Sequence, residues 1–290
     1  MPRTVDEGFR DFLSKLTPSS TESQAAKGHR ASIAACLRNR FALNRFVRIG
    51  SFGNGTSITG FSDVDYLACI PTDQLRASST LSLARVRNAL DTRFPDTGVR
   101  VSCPAVLVPF GRIRAESTEI VPADYVGEDG GYPVYDIADC ANGWMRTSPD
   151  AHNAYVRRVD ERLGWKVRPL IRFLKAWKCL RYVPISSFYL ELRVAKYASN
   201  KQTISYEHDV RAVLKHLYDY RLASIQDPMG VSGYIHACKT EALRKVSFRR
   251  LETALARADK ALDASWRGNI RAAFIWWRLL YNQAFPTYYR

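Results

Sequence analysis

The sequence predicts an α+β protein in two lobes, a mixed-sheet lobe followed by a helical one. Three observations predict it. Short apolar runs suited to strands, at 46–49, 64–70, 99–108 and 117–121, are confined to the first half of the chain. From Asp150 onward apolar residues recur at helical spacing. A chain of 290 residues can bury one large core or two modest ones, and the change of pattern divides it into 1–155 and 156–290.

Composition bounds the partners. An apolar fraction of 46% with 24% charged residues describes a globular chain, not a disordered one. The net charge of +15, from 43 basic and 28 acidic residues, favours anionic partners: nucleotides, nucleic acid or headgroups. Cys36, Cys69, Cys103, Cys140, Cys179 and Cys238 stand singly, so reduced, mostly buried thiols are expected, with neither a zinc site nor a disulfide framework. The N-terminus has no apolar leader, and the most apolar stretch, 272–280, is short and broken by Arg278. The expectation is a cytoplasmic protein without a membrane anchor.

In chain order, Phe9, Phe12, Leu13 and Leu16 predict a short helix over 5–16 that stops at Pro18. Ile33, Ala34, Leu37 and Phe41 predict one long amphipathic helix over 21–41. After the apolar run 46–49, Gly50-Ser51 suits a tight turn into a helix, where backbone N–H groups and the Ser51 hydroxyl can close round a phosphate. Asp63 and Asp65 lead into Leu67, Cys69 and Ile70. On a strand, residues i and i+2 share a face, so both carboxylates aim at one spot. They repel unless a cation sits between them, and Mg²⁺ is the natural candidate because it takes oxygen ligands together with a triphosphate. A glycine-rich loop before a strand with solvent-facing acids is the plainer reading of the same residues. A helix over 81–94, a turn at 95–98 and strands at 99–102, 105–108 and 117–121 complete the lobe.

Residues 132–149 read as loop, with Gly130-Gly131, Pro133 and Asn142-Gly143 as punctuation and Trp144 as an anchor. Helices follow at 150–162 and after Gly164, the latter carrying Leu170, Phe173, Leu174 and Trp177 on one face. Nine basic residues between Arg157 and Arg181 face only Asp160 and Glu161. By default they form a solvated face; by position they suit a groove that neutralises triphosphates. Segments 210–222, 234–246, 248–264 and 270–285 read as amphipathic helices with core aromatics.

Gly50-Ser51, eleven residues, then Asp63-Val64-Asp65 resembles the nucleotidyltransferase signature of the polymerase-β-like superfamily. More narrowly, the glycine and threonine spacing resembles the SMODS and oligoadenylate-synthetase-like branch, which holds cyclic GMP-AMP synthase and the bacterial cGAS/DncV-like nucleotidyltransferases (CD-NTases). The resemblance implies a polymerase-β-like nucleotidyltransferase lobe, a mixed sheet with helices, plus a C-terminal helical lobe, bridged by the long N-terminal helix as a spine. It implies a third carboxylate three residues before Pro-Ala, the place of Glu119, where the family more often has Asp; Glu116 and Asp124 are its neighbours. Leu174-Lys175-Ala176-Trp177 followed by Ser186-Ser187-Phe188-Tyr189-Leu190-Glu191 is similar to the second family signature. By carry-over Lys175 and Ser187, with Ser186 as the other hydroxyl, hold the donor triphosphate. Ile225-Gln226-Asp227-Pro228 resembles a late motif near the nucleotide.

The function implied is nucleotidyl transfer between NTPs with two Mg²⁺ ions, for which Mn²⁺ can substitute. Asp63, Asp65 and Glu119 would hold the metals, and Gly50, Ser51, Lys175 and Ser187 the nucleotide. The implied product is a cyclic dinucleotide such as a cyclic GMP-AMP isomer, a second messenger for a downstream effector in CBASS anti-phage defence. Alternatives are a linear 2′–5′ oligonucleotide synthetase with a nucleic-acid activator, an RNA- or small-molecule-modifying transferase, and a non-catalytic nucleotide-binding module.

Overall fold

The computed structural model describes residues 2–111 and 116–289. The chain divides into two compact units, one of Met1–Thr17, Tyr155–Pro228 and Gly233–Arg290, the other of Pro18–Ala154 with Met229–Ser232. Helix α1 (Val5–Leu16) opens on a capping box, in which Thr4 Oγ1 accepts from the Glu7 N–H at 3.2 Å and the Glu7 carboxylate accepts from the Thr4 N–H at 3.2 Å. The expected 1–155 lobe would hold these residues, but they lie in the helical unit. Aromatic packing is the reason: Phe9 meets Phe173, Trp277 and Phe285 edge-on, at centroid distances of 5.0, 5.0 and 5.1 Å. Gly8 permits that approach, since a Cβ there would come within 2.9 Å of the Phe274 ring.

The helix expected over 21–41 is two helices, α2 (Ser20–Gly28) and α3 (Arg30–Phe41). Glycine weakens the ladder at Gly28, and the His29 ring is stacked on Phe110 at 3.7 Å. The chain continues through β1 (Arg45–Ile49), α4 (Gly50–Asn54), β2 (Val64–Cys69), α5 (Ser79–Arg93), β3 (Arg100–Ser102), β4 (Ala105–Pro109) and β5 (Ser117–Asp129). Residues 132–149, expected as loop, contain β6 (Tyr132–Ala138) and β7 (Trp144–Thr147). The punctuation there marks turns: Gly130 and Gly131, both at positive φ, close the β5–β6 hairpin.

Among the described residues these strands form one sheet, in the order β1-β2-β5-β4-β3, with β6 on β5 and β7 on β6. Only β2 and β5 pair in parallel. One face packs Val64, Tyr66, Val106 and Ile120 against Ile33, Leu37, Leu83, Val86 and Leu90 of α3 and α5. On the other, Leu67, Cys69, Val121, Ala123, Tyr135 and Ile137 form a smaller core. Cys103 and Cys140, expected as thiols, are joined in a disulfide with Cα atoms 5.7 Å apart. They stand 37 positions apart in the sequence, and the fold brings them together.

The helical unit is built from the end of α6 (Pro149–Arg162), then α7 (Val167–Leu180), α8 (Ser187–Ala198), α9 (Tyr206–Asp219), the small hairpin β8 (Ile225–Gln226) and β9 (Tyr234–Ile235), α10 (Glu241–Trp266) and α11 (Ile270–Leu280). The helix expected over 234–246 is β9 followed by the first turns of α10, which starts at its Thr240 cap and runs unbroken for 26 residues. Among the described residues no helix is long and apolar enough to cross a membrane.

Candidate active site

The site begins with what register does to two carboxylates. In the parallel pair β2–β5, Asp65 lies opposite Glu119. Alternation puts Asp65, Leu67 and Cys69 on one face with Glu119, Val121 and Ala123, while Val64, Tyr66 and Ile120 face the larger core. Asp63 immediately precedes β2, two residues from Asp65, and both acids are half-buried. Ile49, opposite Asp65 on β1, and Leu107, opposite Glu119 on β4, flank the pair.

Register also separates Glu119 from its sequence neighbours. Asp124 stands five residues further along β5, an odd step, and so points to the other face; its carboxylate accepts from the Thr72 hydroxyl at 2.8 Å. Glu116 precedes β5 and lies against Gly111, where a Cβ would overlap its carboxylate. Of the three acids weighed, Glu119 is the one registered with Asp65.

Gly50 has a structural role that its phosphate reading did not include. Its φ is +60°, and a Cβ there would stand 2.0 Å from Asp65 Oδ2. The Asp65 carboxylate thus occupies the room a side chain would need. Ser51 follows in α4, whose last turn closes as the Thr56 N–H donates to the Ser51 carbonyl at 2.8 Å. The polar loop that returns to β2 is itself packed: Asn54, Thr56 and Ser57 are buried, and Ser62 Oγ accepts from the Ile58 N–H at 2.9 Å. At the far end of the same face, Arg45 of β1 is held by both Asp150 oxygens at 2.9 Å and by Tyr135. Burial pushes the Tyr135 phenol up, against the pull of Arg45.

The acids suit a hard cation, offering only oxygen donors from one face of adjacent strands. Among the described residues no three such side chains already converge as a metal cage. Asp65 and Glu119 are neighbours by register, with Asp63 next to them in the chain.

The expected phosphate cation is not at the surface. Lys175 is 3% exposed, and its Nζ donates to Glu191 Oε1 at 2.8 Å. One turn on, Lys178 Nζ donates to Ser187 Oγ at 2.7 Å. Ser186 instead caps α8 through the Tyr189 N–H. The Lys175–Glu191 and Lys178–Ser187 pairings were not read from the sequence, although i,i+3 lysines and an i,i+4 Ser/Glu pair on consecutive helices were the signal. The remaining cations of 157–181 are largely committed within the unit. Arg162 donates to the carbonyls of Ala198, Ser199 and Lys201, Lys166 to that of Ile204, and Arg181 to those of Leu279 and Leu280. Arg157 pairs with Glu161, and Arg168 with the buried Asp160 that caps α7. Much of the basic run thus serves helix ends and ion pairs, while Arg157, Arg158, Arg162 and Lys166 remain exposed. The late motif is the β8 strand of the small hairpin, with Asp227 buried at its end and its N–H donating to the Gly233 carbonyl.

A carboxylate pair registered on parallel strands behind a Gly-Ser turn, in a chain that continues into a helical unit, is the plan of a nucleotidyltransferase. The chain belongs to the Second Messenger Oligonucleotide or Dinucleotide Synthetase (SMODS) domain family, which residues 3–159 match. It is similar to a probable cyclic nucleotide synthase of Bacillus cereus (strain VD146), 26% identical over 175 residues, or 59% of this chain; the match spans about half (52%) of that relative. Its fold is that of Escherichia coli MS115-1 CdnC, solved with ATP, at a TM-score of 0.76 and 18% identity over 97% of this chain and 98% of that one. It is also similar to the Vibrio cholerae DncV cyclic AMP-GMP synthase, solved with the linear intermediate 5′ pppA(3′,5′)pG, at a TM-score of 0.66 and 14% identity over 98% and 86%.

Proposed function

We propose that this protein is a cyclic oligonucleotide synthase that joins NTPs in the cytoplasm into a second messenger, a cyclic dinucleotide such as a cyclic GMP-AMP isomer, which acts on an effector in CBASS anti-phage defence. The observation that carries the reading is Asp65 opposite Glu119 in parallel register, with the Asp65 carboxylate in the space left by Gly50. Family membership and the fold shared with CdnC and DncV support it.

Nucleotidyl transfer asks a protein for in-line positioning and charge neutralisation more than for covalent chemistry. Asp63, Asp65 and Glu119 would hold the Mg²⁺ ions, two in this reading and replaceable by Mn²⁺. Bound there, the metal supplies neutralisation of the triphosphate and a lowered pKa for the attacking hydroxyl. Gly50 keeps Asp65 in place, and Ser51 binds phosphate beside it. In the helical unit Ser187, Lys178 and Lys175 form the donor-triphosphate grip, with Glu191 keeping the Lys175 ammonium aligned.

The test is to incubate the protein with all four labelled NTPs and Mg²⁺ or Mn²⁺, treat with phosphatase, and identify the survivors by mass spectrometry. A phosphatase-resistant product of two or three nucleotides supports the proposal and names the bases. Products that all lose label, or that need added RNA or a small acceptor, replace cyclisation with linear synthesis or acceptor modification.

A further inference from the structure

We propose that Cys103 and Cys140 are a reversible thiol-oxidation site whose disulfide form fastens the strand block that carries Glu119. Cys103 opens the two-residue β3–β4 connection and Cys140 is the second residue of the β6–β7 loop, so the bond joins the β3–β4 turn to the chain just past the end of β6. All of β5, with Glu119, lies in the chain segment it closes. β4 and β6 meet β5 at neighbouring positions, Val106 opposite Ile120 and Ile137 opposite Ala123. The disulfide stitches that junction.

The loop that carries Cys140 holds its shape without the sulfur bond. Asp139 Oδ1 accepts from the N–H groups of Ala141 and Gly143 at 2.7 and 2.8 Å, and the Asp139 N–H donates to the Gly143 carbonyl at 3.1 Å. Asn142 is tied to the start of α5, its side chain accepting from Ser78 Oγ and its carbonyl from the Ser79 N–H at 3.3 Å. Trp144 Nε1 donates to the Ala77 carbonyl at 2.9 Å. With Cys140 so held, the two thiols stay within bridging reach after reduction and the bond can re-form. Cys140 is exposed, whereas its partner Cys103 is half-buried, like Cys36, Cys179 and Cys238, and Cys69 is buried. Selectivity therefore rests on the exposed Cys140 with Cys103 placed within bridging distance of it.

The chemistry balances with a peroxide as oxidant. Two thiols lose two protons and two electrons to form the S–S bond, and hydrogen peroxide is reduced to two waters; a dithiol reverses it by exchange, becoming a cyclic disulfide. In a reducing compartment such a bond is transient, which is the setting of redox-sensing disulfides.

The full-length protein is reduced with dithiothreitol, desalted, treated with hydrogen peroxide or left untreated, then alkylated and mapped by peptide mass spectrometry. The expected result is a Cys103–Cys140 linked peptide after peroxide and two alkylated residues after dithiothreitol, the other four cysteines staying alkylatable in both. Reduction should lower the Tm by about 5–10 °C, and C103S and C140S should each behave as the reduced protein under both conditions. The mapping uses the wild-type chain, so a poorly folding variant leaves it decisive. Thiols that never pair, a bond that native protein does not release to dithiothreitol, or oxidation spread over all six cysteines would overturn the proposal.

Discussion

The acid face of the sheet and the α7–α8 face of the helical unit hold their charged groups in opposite ways. Asp65 and Glu119 are neighbours because two backbones pair in parallel, and no side-chain partner is needed to bring them together. Lys175 and Lys178 are placed by what their long side chains reach, Glu191 and Ser187 on the next helix. Backbone register tolerates a change of side chain without moving the site. A site placed by side-chain reach loses its geometry when either partner is changed. Substitutions on the first face should therefore strike activity and spare stability, and on the second they should strike stability first.

The largest effect belongs to Asp65→Asn. Turnover should fall by about 10³-fold, while Tm stays level or rises, because the amide keeps the shape and removes repulsion beside Glu119. Steady-state kinetics with a thermal melt read both, and near-normal turnover would remove the acid face from the reaction. Gly50→Ala comes next. The new Cβ must displace the Asp65 carboxylate, 2.0 Å away, and force alanine to φ +60°, so activity should drop by about 10²-fold with about 1–2 kcal/mol of strain. An active Gly50→Ala would mean that the Asp65 position is not critical.

The same contrast explains what could be read in the sequence. Asp63-Val64-Asp65 and the strand after it were legible because alternation is a property of backbone, and so were α1 and α7, whose patterns and stops are local. Glu119 was legible only by resemblance, since its partner strand lies more than fifty residues upstream in sequence. The basic run left a solvated face and a groove both open because a charge count does not say what each cation reaches; Arg162 and Arg181 satisfy helix-end carbonyls that no pattern announces. The Cys103–Cys140 bond and the β6–β7 pair were hidden for a similar reason. Their glycines and prolines read as loop, and their partners are tertiary.

On the helical face, Glu191→Gln should leave the Lys175 ammonium buried without its counter-charge, at a cost of about 3–5 kcal/mol in a urea melt. The double variant Lys175→Met with Glu191→Leu should recover most of that stability, because the charge is gone along with its partner. If Lys175 also meets triphosphate, the double variant stays folded and loses activity. Full activity in it would leave Lys178 and Ser187 as the grip. Arg162→Ala sharpens the reading of the basic run. Loss of its bonds to three carbonyls at the end of α8 should cost about 1–2 kcal/mol with KM for NTP unchanged. A raised KM at unchanged Tm would favour the groove.

The smallest effect is a pH dependence at Glu207, in the first turn of α9. Burial pushes its carboxyl up, Asp6 adds to the push, and Ser265 and His208 oppose it. A folded pKa above the unfolded value means that the native state binds the proton more tightly. The stability this lends is complete below the unfolded pKa of about 4.3 and is lost as pH rises through the folded value. At neutral pH the wild type therefore folds with an ionised carboxylate in a poorly solvated place. Glu207→Gln, neutral throughout, should melt slightly above wild type at a pH of about 7.5, with the gap closing as the pH falls toward about 4. Melts across that range decide it. A gap that widens toward acid would mean that the Glu207 charge is stabilised by its neighbours, with the folded pKa below the unfolded one.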